Sequence, residues 1–278
     1  TAAPPGRRTA YDSANHFGIE VYTEYDPNFI GYNVISGMGG SVTTVTRGSL
    51  GQSVTSEVTS GSHTRLYAIY DPTQAKYVVL YQRNNSTCRY IIGTPSTSNG
   101  TVSWGSPVSL PNNNTADNGD SCFEPSTGHF ITRWGTSADT TMNVGSFDGS
   151  SFTWTETAMG DDYTNFIALG DGKVLCWRGG SQGTARIATI AADRSVTFGT
   201  AFTSSLASSI FGYNGSGQWA LDAGNNRVVM VYADNSSQNL IKAAGGTISE
   251  TTISGISSGT TISTLVTHNH SQPSIHWI

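Results

Sequence analysis

Short apolar runs that close on one large aromatic residue recur along this chain about every 50 residues, and a polar turn follows each of them. The second copy shows the predicted elements most clearly. Strands are predicted over residues 65–70 and 77–81, on either side of a proline-containing turn at 71–76. A third strand over 89–93 leads, through an Asn-Gly hairpin turn, to a fourth strand over 101–104. Four short antiparallel strands within about 45 residues are typical of one propeller blade.

The recurring aromatic residue and one further hydrophobic position define the blades. The aromatic positions are Tyr22, Tyr81, Trp134, Trp177, Tyr232 and Trp277. The second position, one hairpin and one strand later, is occupied by Val45, Trp104, Trp154, Phe198 and Ile253. Large aromatics in the middle of a strand fill the space between neighbouring blades, so we interpret the first series as packing residues and not as a sugar-stacking set. Repetition at this period predicts an all-β fold, a β-propeller of about six four-stranded blades.

A single propeller domain is predicted over residues 10–278. The predicted blades lie near residues 10–50, 64–110, 118–158, 161–203, 217–256 and 260–278. The last of them stops after its second strand, so we expect the sixth blade to be either incomplete or closed by the N-terminal segment. Residues 1–9 are accordingly predicted to be a linker or a closing strand, because exchange of strands between the chain ends leaves a ring without an open edge.

Composition narrows the classes of partner. Charged residues make up 12% of the chain, and its net charge is -5. Phosphate binding requires a dense basic surface, so we expect no nucleic-acid partner. No apolar run approaches the ~20 residues of a membrane helix, so no membrane insertion is expected. Cys88, Cys122 and Cys176 are widely spaced and predict neither disulfides nor zinc. We expect Cys122 and Cys176, which lie in apolar runs, to be small buried hydrophobic residues.

Three arginines adjoin the recurring aromatic residues and are candidates for binding an anion. Arg83, Arg133 and Arg178 stand at different offsets from the aromatic, so strand alternation directs them to different faces. We therefore interpret them as solvated or channel-lining side chains and not as one clamp. Arg83 and Arg178, together with Asp234, are the candidate binding residues.

The acidic and histidine clusters favour neither catalysis nor metal binding. The acidic candidates are Asp120, Glu124, Asp161 and Asp162. They lie in predicted turns, where carboxylates commonly accept hydrogen bonds from local backbone amides. His268 and His270 share one face of a predicted strand, with His276 on the next, but no Cys or paired carboxylate accompanies them at ligand spacing. We therefore predict no catalytic residue, no metal site and no cofactor.

Residues 68–81 (AIYDPTQAKYVVLY) and 99–108 (NGTVSWGSPV) carry a resemblance to a known family. They resemble the β-propeller repeats of bacteriophage virion proteins, chiefly tail fibres, spikes and surface decorations. The repeat extends over most of the chain, and its second copy matches best. The resemblance implies a structural setting on a virion, with other virion proteins as partners. It assigns no site residues. A homo-oligomer is a separate expectation.

The predicted function is attachment. A virion-surface or tail-associated protein would bind the host or another virion protein, with a host-surface glycan held by loops on one face. Polar loops at 50–63, 111–120 and 203–216 are the expected binding segments, because binding residues concentrate on loops of a rigid scaffold. The alternatives are a secreted propeller glycosidase or lyase, with acids from several blades around the channel, and a cellular propeller lectin. A non-enzymatic protein on the virion surface, or otherwise extracellular, is favoured.

Overall fold

The computed structural model describes residues 7–25, 28–36, 46–47, 52–55, 66–83, 87–96, 98, 100–111, 121–133, 141–161, 163, 165–178, 184–203, 218–234, 240–256 and 259–263. Within these ranges the chain forms five antiparallel sheets and one short 3-10 helix, Ala223–Asn225. Each sheet is built from strands that follow one another in sequence, as a blade requires.

The first two sheets come from the N-terminal part of the chain. Sheet 1 contains β1 (Arg7–Asp12), β2 (Phe17–Tyr25), β3 (Asn28–Ser36), β4 (Thr46–Arg47) and β5 (Gln52–Thr55). Sheet 2 contains β6 (Leu66–Asp71), β7 (Lys76–Arg83), β8 (Thr87–Ser96), β9 (Thr101–Trp104) and β10 (Val108–Ser109). The strands predicted for the second repeat are thus confirmed, with β8 longer at both ends than expected.

The other three sheets follow in the same order. Sheet 3 contains β11 (Ser121–Glu124), β12 (His129–Thr132), β13 (Thr141–Phe147) and β14 (Phe152–Ala158). Sheet 4 contains β15 (Asn165–Gly170), β16 (Lys173–Arg178), β17 (Thr184–Ile190), β18 (Val196–Phe198) and β19 (Phe202–Thr203). Sheet 5 contains β20 (Gln218–Asp222), β21 (Arg227–Asp234), β22 (Leu240–Ser249), β23 (Thr252–Ser254) and β24 (Thr260–Ser263).

The third strand pairs with two short strands in sheets 1, 2, 4 and 5. A glycine after the fourth strand marks the break between the two short strands in sheets 2 and 4. Gly105 N donates to Ile92 O at 2.9 Å, and Gly199 N donates to Ile187 O at 2.8 Å. In these two sheets the glycine is therefore the point where the third strand exchanges one short partner strand for the other. Trp104, Trp154, Phe198 and Ile253 all lie in the fourth strand of their sheets.

Both ends of the described chain differ from the prediction. Residues 7–9 lie in β1, which pairs with β2 of the first sheet, so they are neither a linker nor a strand of the last blade. Residues 260–263 form β24, which pairs with β22 of sheet 5 and does not begin a sixth blade. The reason is the long third strand, which offers backbone hydrogen bonds to a second short strand. Residues 1–6 and 264–278 lie outside the described part.

The chain divides into two compact units. The first contains sheets 1 and 2 and Ser146–Trp154 of sheet 3, and the second contains the rest of sheet 3 with sheets 4 and 5. In the first unit, one hydrophobic core joins sheets 1 and 2. Two buried tyrosines bond across it: Tyr77 donates its hydroxyl to Phe17 O at 2.7 Å, and Tyr32 donates to Val102 O at 3.1 Å.

In the second unit, strand β16 is buried on both faces. Its side chains alternate between two cores: Val174 and Cys176 pack toward sheet 3, and Leu175 and Trp177 pack toward sheet 5. Trp177 is fully buried, and so is Tyr81 in the first unit. The interpretation of these two aromatics as packing residues is confirmed. The side chains of Trp134, Tyr232 and Trp277 lie outside the described residues.

The turn between the first and second strands is built alike in sheets 1, 2 and 3. A buried acidic residue, Asp12, Asp71 or Glu124, ends the first strand and accepts hydrogen bonds from amides two and three residues later. In sheet 2 these donors are Thr73 N at 2.8 Å and Gln74 N at 3.2 Å. The fourth turn residue has a positive φ in sheets 1, 2, 3 and 5, at His16, Ala75, Gly128 and Asn226.

Sheet 4 has a shorter turn. Only Asp171 and Gly172 separate β15 from β16, with φ values of 52° and 71°, as in a two-residue hairpin turn of type I′. The turn is anchored on two sides. Asp171 N donates to Ser126 Oγ of sheet 3 at 2.8 Å, and Gly172 O accepts from Ile190 N at 2.7 Å.

Candidate binding site at the end of the second strands

The candidate residues named from the sequence share one structural position. Arg83, Arg178 and Asp234 are the last residues of β7, β16 and β21, which are the second strands of their sheets. The structure describes the side chain of Arg178. The side chains of Arg83 and Asp234, and the connections 84–86, 179–183 and 235–239 that follow these strands, lie outside the described residues.

Arg178 forms an ion pair with Asp161. Its Nη1 donates to Asp161 Oδ1 at 2.5 Å, and the two side chains are 32% and 28% exposed. Asp161 lies in the segment that leads from sheet 3 into β15, so the pair occupies the end of sheet 4 where the first strand begins and the second ends. The sequence pattern predicts Asp161 in a turn, as an acceptor for local backbone amides. Nothing in the local pattern indicates a pairing between residues 17 positions apart.

A hydrogen-bonded group of side chains adjoins this ion pair. Arg186 donates from Nε to Gly199 O at 2.6 Å and from Nη1 to Met159 O at 3.4 Å. Its guanidinium lies 4.9 Å from the ring centroid of Phe198, a cation–π contact. Tyr163 is buried, and burial, followed by the charge of Asp161, raises the pKa of its hydroxyl. The tyrosine thus remains a neutral hydrogen-bonding group over the physiological range.

The chemistry of the partly exposed ion pair suits a neutral polar ligand. The guanidinium offers several N–H donors in one plane, and the carboxylate offers two acceptor oxygens, so adjacent hydroxyl groups can bond to both. Hydrogen bonds to charged groups are stronger than those between neutral groups. Because the two charges largely cancel, the site selects for hydrogen-bonding geometry and not for net charge.

Arg133 behaves differently from Arg178. It follows β12 directly, yet its side chain is fully buried, so the prediction of a solvated or channel-lining arginine is wrong at this position. The physical reason is the burial of the whole preceding strand, His129–Thr132, whose four residues are all inaccessible. Arg178, at nearly one-third exposure, agrees with the predicted solvated character.

Four of the described acidic residues in turns, Asp12, Glu124, Asp148 and Asp193, accept hydrogen bonds from their own turns. In Asp12 and Glu124 burial by itself would raise the pKa, but hydrogen bonds from the turn outweigh it and lower the pKa. Hydrogen bonds from neighbouring serines likewise lower the pKa of Asp148 and Asp193. These four carboxylates are therefore ionised at neutral pH. The predicted turn role of Glu124 is confirmed.

Several other sequence-based expectations bear on the site. Within the described ranges, no group of three or more His, Cys, Asp or Glu side chains is arranged to hold a metal ion. His268, His270 and His276 lie outside those ranges, as do Asp120 and Asp162. Cys88 and Cys176 are buried, whereas Cys122 is partly exposed. No helix of the described chain is long and apolar enough to span a membrane.

The sequence matches no protein-family model and no curated protein. Solved structures match in fold. A candidate 6-phosphogluconolactonase from Bacteroides uniformis superposes with a TM-score of 0.61 at 8% identity, over 96% of this chain and 73% of that one. The Swd1 β-propeller domain of Myceliophteria thermophila gives 0.52 at 9% identity, over 97% and 76%. Aleuria aurantia lectin, in complex with α-methyl-L-fucoside, gives 0.50 at 11% identity, over 90% and 78%.

These structural matches, together with the repeated antiparallel sheets, define the class of the protein. The chain has an all-β, β-propeller fold, as the period of the sequence repeat predicts. At these levels of identity the likeness extends to the fold alone, because one fold carries many unrelated functions.

Proposed function

We propose that this chain is a carbohydrate-binding attachment protein that recognises a glycan where the second strands of its sheets end. The observation that carries this proposal is the partly exposed ion pair between Arg178 and Asp161. We further propose that it acts on the surface of a bacteriophage particle, with a host-surface glycan as ligand. The resemblance of residues 68–81 and 99–108 to virion propeller repeats supports that setting.

The chemistry of the ion pair suits a sugar. Vicinal hydroxyl groups can accept from a guanidinium and donate to a carboxylate in the same plane. Two neighbouring side chains, the buried Tyr163 and the half-buried Arg186, are themselves hydrogen-bonded or packed, so we expect the pair to be held in place before a ligand arrives. Preorganisation of this kind reduces the entropy cost of binding.

The comparisons support carbohydrate binding in general terms. Aleuria aurantia lectin shares the fold and is in complex with a monosaccharide derivative, α-methyl-L-fucoside. A propeller can therefore present a sugar site, and the proposal assigns that capacity to this chain. The proposal does not assign the ligand of the lectin, α-methyl-L-fucoside, to this chain.

The pKa directions of four described carboxylates do not suit glycoside hydrolysis. A glycosidase needs a carboxylic acid with a raised pKa to protonate the leaving oxygen. Asp12, Glu124, Asp148 and Asp193 all have lowered pKa values, so none of these four is suited to that role.

A glycan array with the purified full chain tests the proposal. We expect saturable binding to a subset of glycans, weakened at least tenfold by Arg178→Ala and by Asp161→Asn. Arg227→Ala is the matched control, because Arg227 is an exposed arginine at the start of β21, the other end of a second strand. Binding that survives both site variants, or no binding to any glycan, would overturn the proposal.

A cell-binding measurement tests the virion setting. Fluorescently labelled chain is expected to bind bacterial cells, and periodate oxidation of the cell surface should remove that binding by cleaving vicinal diols. Binding that is indifferent to periodate would point to a protein partner and contradict the glycan-based attachment. Arg178→Ala should lose cell binding in parallel with its loss on the array.

A further inference from the structure

A cleft of about 380 Å³ opens between sheets 4 and 5, at the end of sheet 4 opposite Arg178. Lys173 begins β16 and Arg178 ends it, so the cleft and the ion pair lie about 16 Å apart at ~3.3 Å per strand residue. The two locations can therefore be occupied independently. A volume of this size lies within the range of small-molecule sites.

The short turn of sheet 4 explains the cleft. Sheets 1, 2, 3 and 5 have four residues between their first and second strands, whereas sheet 4 has two, Asp171 and Gly172. Where sheets 1, 2 and 3 place a buried acidic side chain at the end of the first strand, sheet 4 has Gly170. The missing side chain and the two missing turn residues leave space that the neighbouring turn at Glu250 does not fill.

The lining of the cleft combines an apolar floor with a polar rim. Partly exposed Leu169, Leu221 and Ile248 supply the apolar part. The polar part consists of Asp171, Lys173, Asn226, Ser249 and Glu250. Among the described residues, the side chains of Asp171, Lys173 and Glu250 make no hydrogen bond or ion pair, so their hydrogen-bonding capacity is available to a ligand.

We propose that this cleft is a second carbohydrate subsite, which takes a single neutral or amino sugar residue. The inference rests on the proposed function, because it assumes that the chain binds glycans. A sugar ring has an apolar face of C–H groups that can lie on the three aliphatic side chains. Its hydroxyls can bond to the carboxylates of Asp171 and Glu250 and to the ammonium group of Lys173.

The charges of the cleft set its selectivity. Two carboxylates face one ammonium group, so the lining carries a net negative charge. A uronic acid or another anionic sugar is therefore disfavoured, and an amino sugar gains from the carboxylates. The ion pair at Arg178 has no such net charge, so the two subsites should differ in their response to the charge of the ligand.

Methyl-based NMR on the full chain tests this subsite apart from the first one. The sample carries ¹³C-methyl Ile, Leu and Met and is titrated with the methyl glycosides of galactose, glucosamine and galacturonic acid. The methyls of Leu169, Leu221 and Ile248 report on the cleft, and that of Met159 reports on the region of Arg178. We expect saturable shifts at the cleft methyls with the first two glycosides, and at least fivefold weaker binding of the galacturonide.

Two conservative variants locate the binding. Asp171→Asn is suitable because Asn tolerates the positive φ of 52° at this position. This variant and Glu250→Gln should each raise the Kd at the cleft methyls at least fivefold, whereas Arg178→Ala should leave it unchanged. Glu156→Gln, which removes a charge from an exposed position on β14, is the control.

The outcomes separate the two proposals. No saturable shift at the cleft methyls, or equal Kd values for wild type, Asp171→Asn and Glu250→Gln, would overturn the second subsite, whatever happens at Met159. A second outcome is that glycosides still bind in the cleft, whereas Arg178→Ala does not weaken binding on the glycan array. This outcome would overturn the proposed site at Arg178 and would not affect the proposed subsite in the cleft. Preference for the galacturonide would contradict the electrostatic argument for the cleft.

Discussion

Gly199 of sheet 4 lies directly against Thr251 of sheet 5, so closely that a methyl group on Gly199 would overlap the Thr251 carbonyl oxygen and approach its Cβ to 2.8 Å. The glycine follows the fourth strand of its sheet, where Gly105 stands in sheet 2. A methyl group on Gly105 would meet only Ile92 O, at an ordinary 3.6 Å. The same position of the repeat is therefore tightly packed in one sheet and open in the other.

Gly199→Ala should destabilise the protein by about 1–3 kcal/mol, because the added methyl group forces the Thr251 backbone to move. Gly105→Ala is the matched control and should change the free energy of unfolding by no more than about 0.5 kcal/mol. Urea denaturation followed by tryptophan fluorescence measures both. Equal effects of the two substitutions would show that the contact with Thr251 does not limit the packing of sheets 4 and 5.

Glu124→Ala should destabilise the protein at pH 7 by about 1–3 kcal/mol, because the amides of Ser126 and Thr127 lose a charged acceptor. Asp148→Ala removes a similar turn acceptor at an exposed position and should have a smaller effect. The folded pKa of Glu124 lies below its ordinary value of 4.5, so its stabilisation is present above that pH and is lost as the pH falls below it.

Urea denaturation at a series of pH values checks this dependence. The difference in unfolding free energy between wild type and Glu124→Gln should be largest near pH 7 and should shrink as the pH falls below about 4.5, the ordinary pKa of the carboxyl group. A difference that stays constant down to pH 3 would mean that the carboxylate is not preferentially ionised in the folded chain.

The ion pair of Arg178 and Asp161 should contribute little to stability. Both side chains are nearly one-third exposed, and exposed pairs are worth about 0–1 kcal/mol. A double-mutant cycle with Arg178→Ala and Asp161→Ala should therefore give a coupling energy of about 1 kcal/mol or less. A coupling well above that value would mean that losses of glycan binding in these variants reflect the fold and not the site.

The sequence repeat predicts the blades well because it follows from packing that every sheet shares. Tyr81 and Trp177 close buried strands, and the strands around Asp71 agree with prediction to within a few residues. The ends of the chain were predicted less well, because pairing of residues 7–9 and 260–263 depends on the free edge of a long neighbouring strand. The local sequence pattern does not indicate which neighbouring strand a terminal segment pairs with.

The candidate sites were only partly predictable for a related reason. Arg178 was named from its place beside a recurring aromatic, but its partner Asp161 is set by how sheet 3 connects to sheet 4. The burial of Arg133 likewise depends on the packing around β12 and not on its own neighbours in sequence. The cleft did have a local signal. The turn Asp171-Gly172 is two residues shorter than the corresponding turns of the other sheets. Gly170 stands where sheets 1, 2 and 3 have a buried acidic residue, so the sequence itself indicates the position of the cleft.

His129 should make the protein less stable as the pH falls below neutrality. It is buried beside Glu124 and Arg194, and burial, followed by the positive charge of Arg194, lowers its pKa from the ordinary 6.5. Below pH 6.5 the unfolded chain takes up a proton that the folded chain resists, so the free energy of unfolding falls by at most about 1.4 kcal/mol per pH unit for one proton. The loss continues until the pH reaches the lowered pKa.

Urea denaturation between pH 5 and pH 8 measures this effect. His129→Gln should show a shallower dependence than wild type over the range below about 6.5, because glutamine does not titrate. His16→Gln is the matched control for the replacement of a histidine by glutamine, in an exposed turn. If His129→Gln retained the full dependence, the acid sensitivity would arise from other groups, and His129 would not be held in its neutral form by the fold.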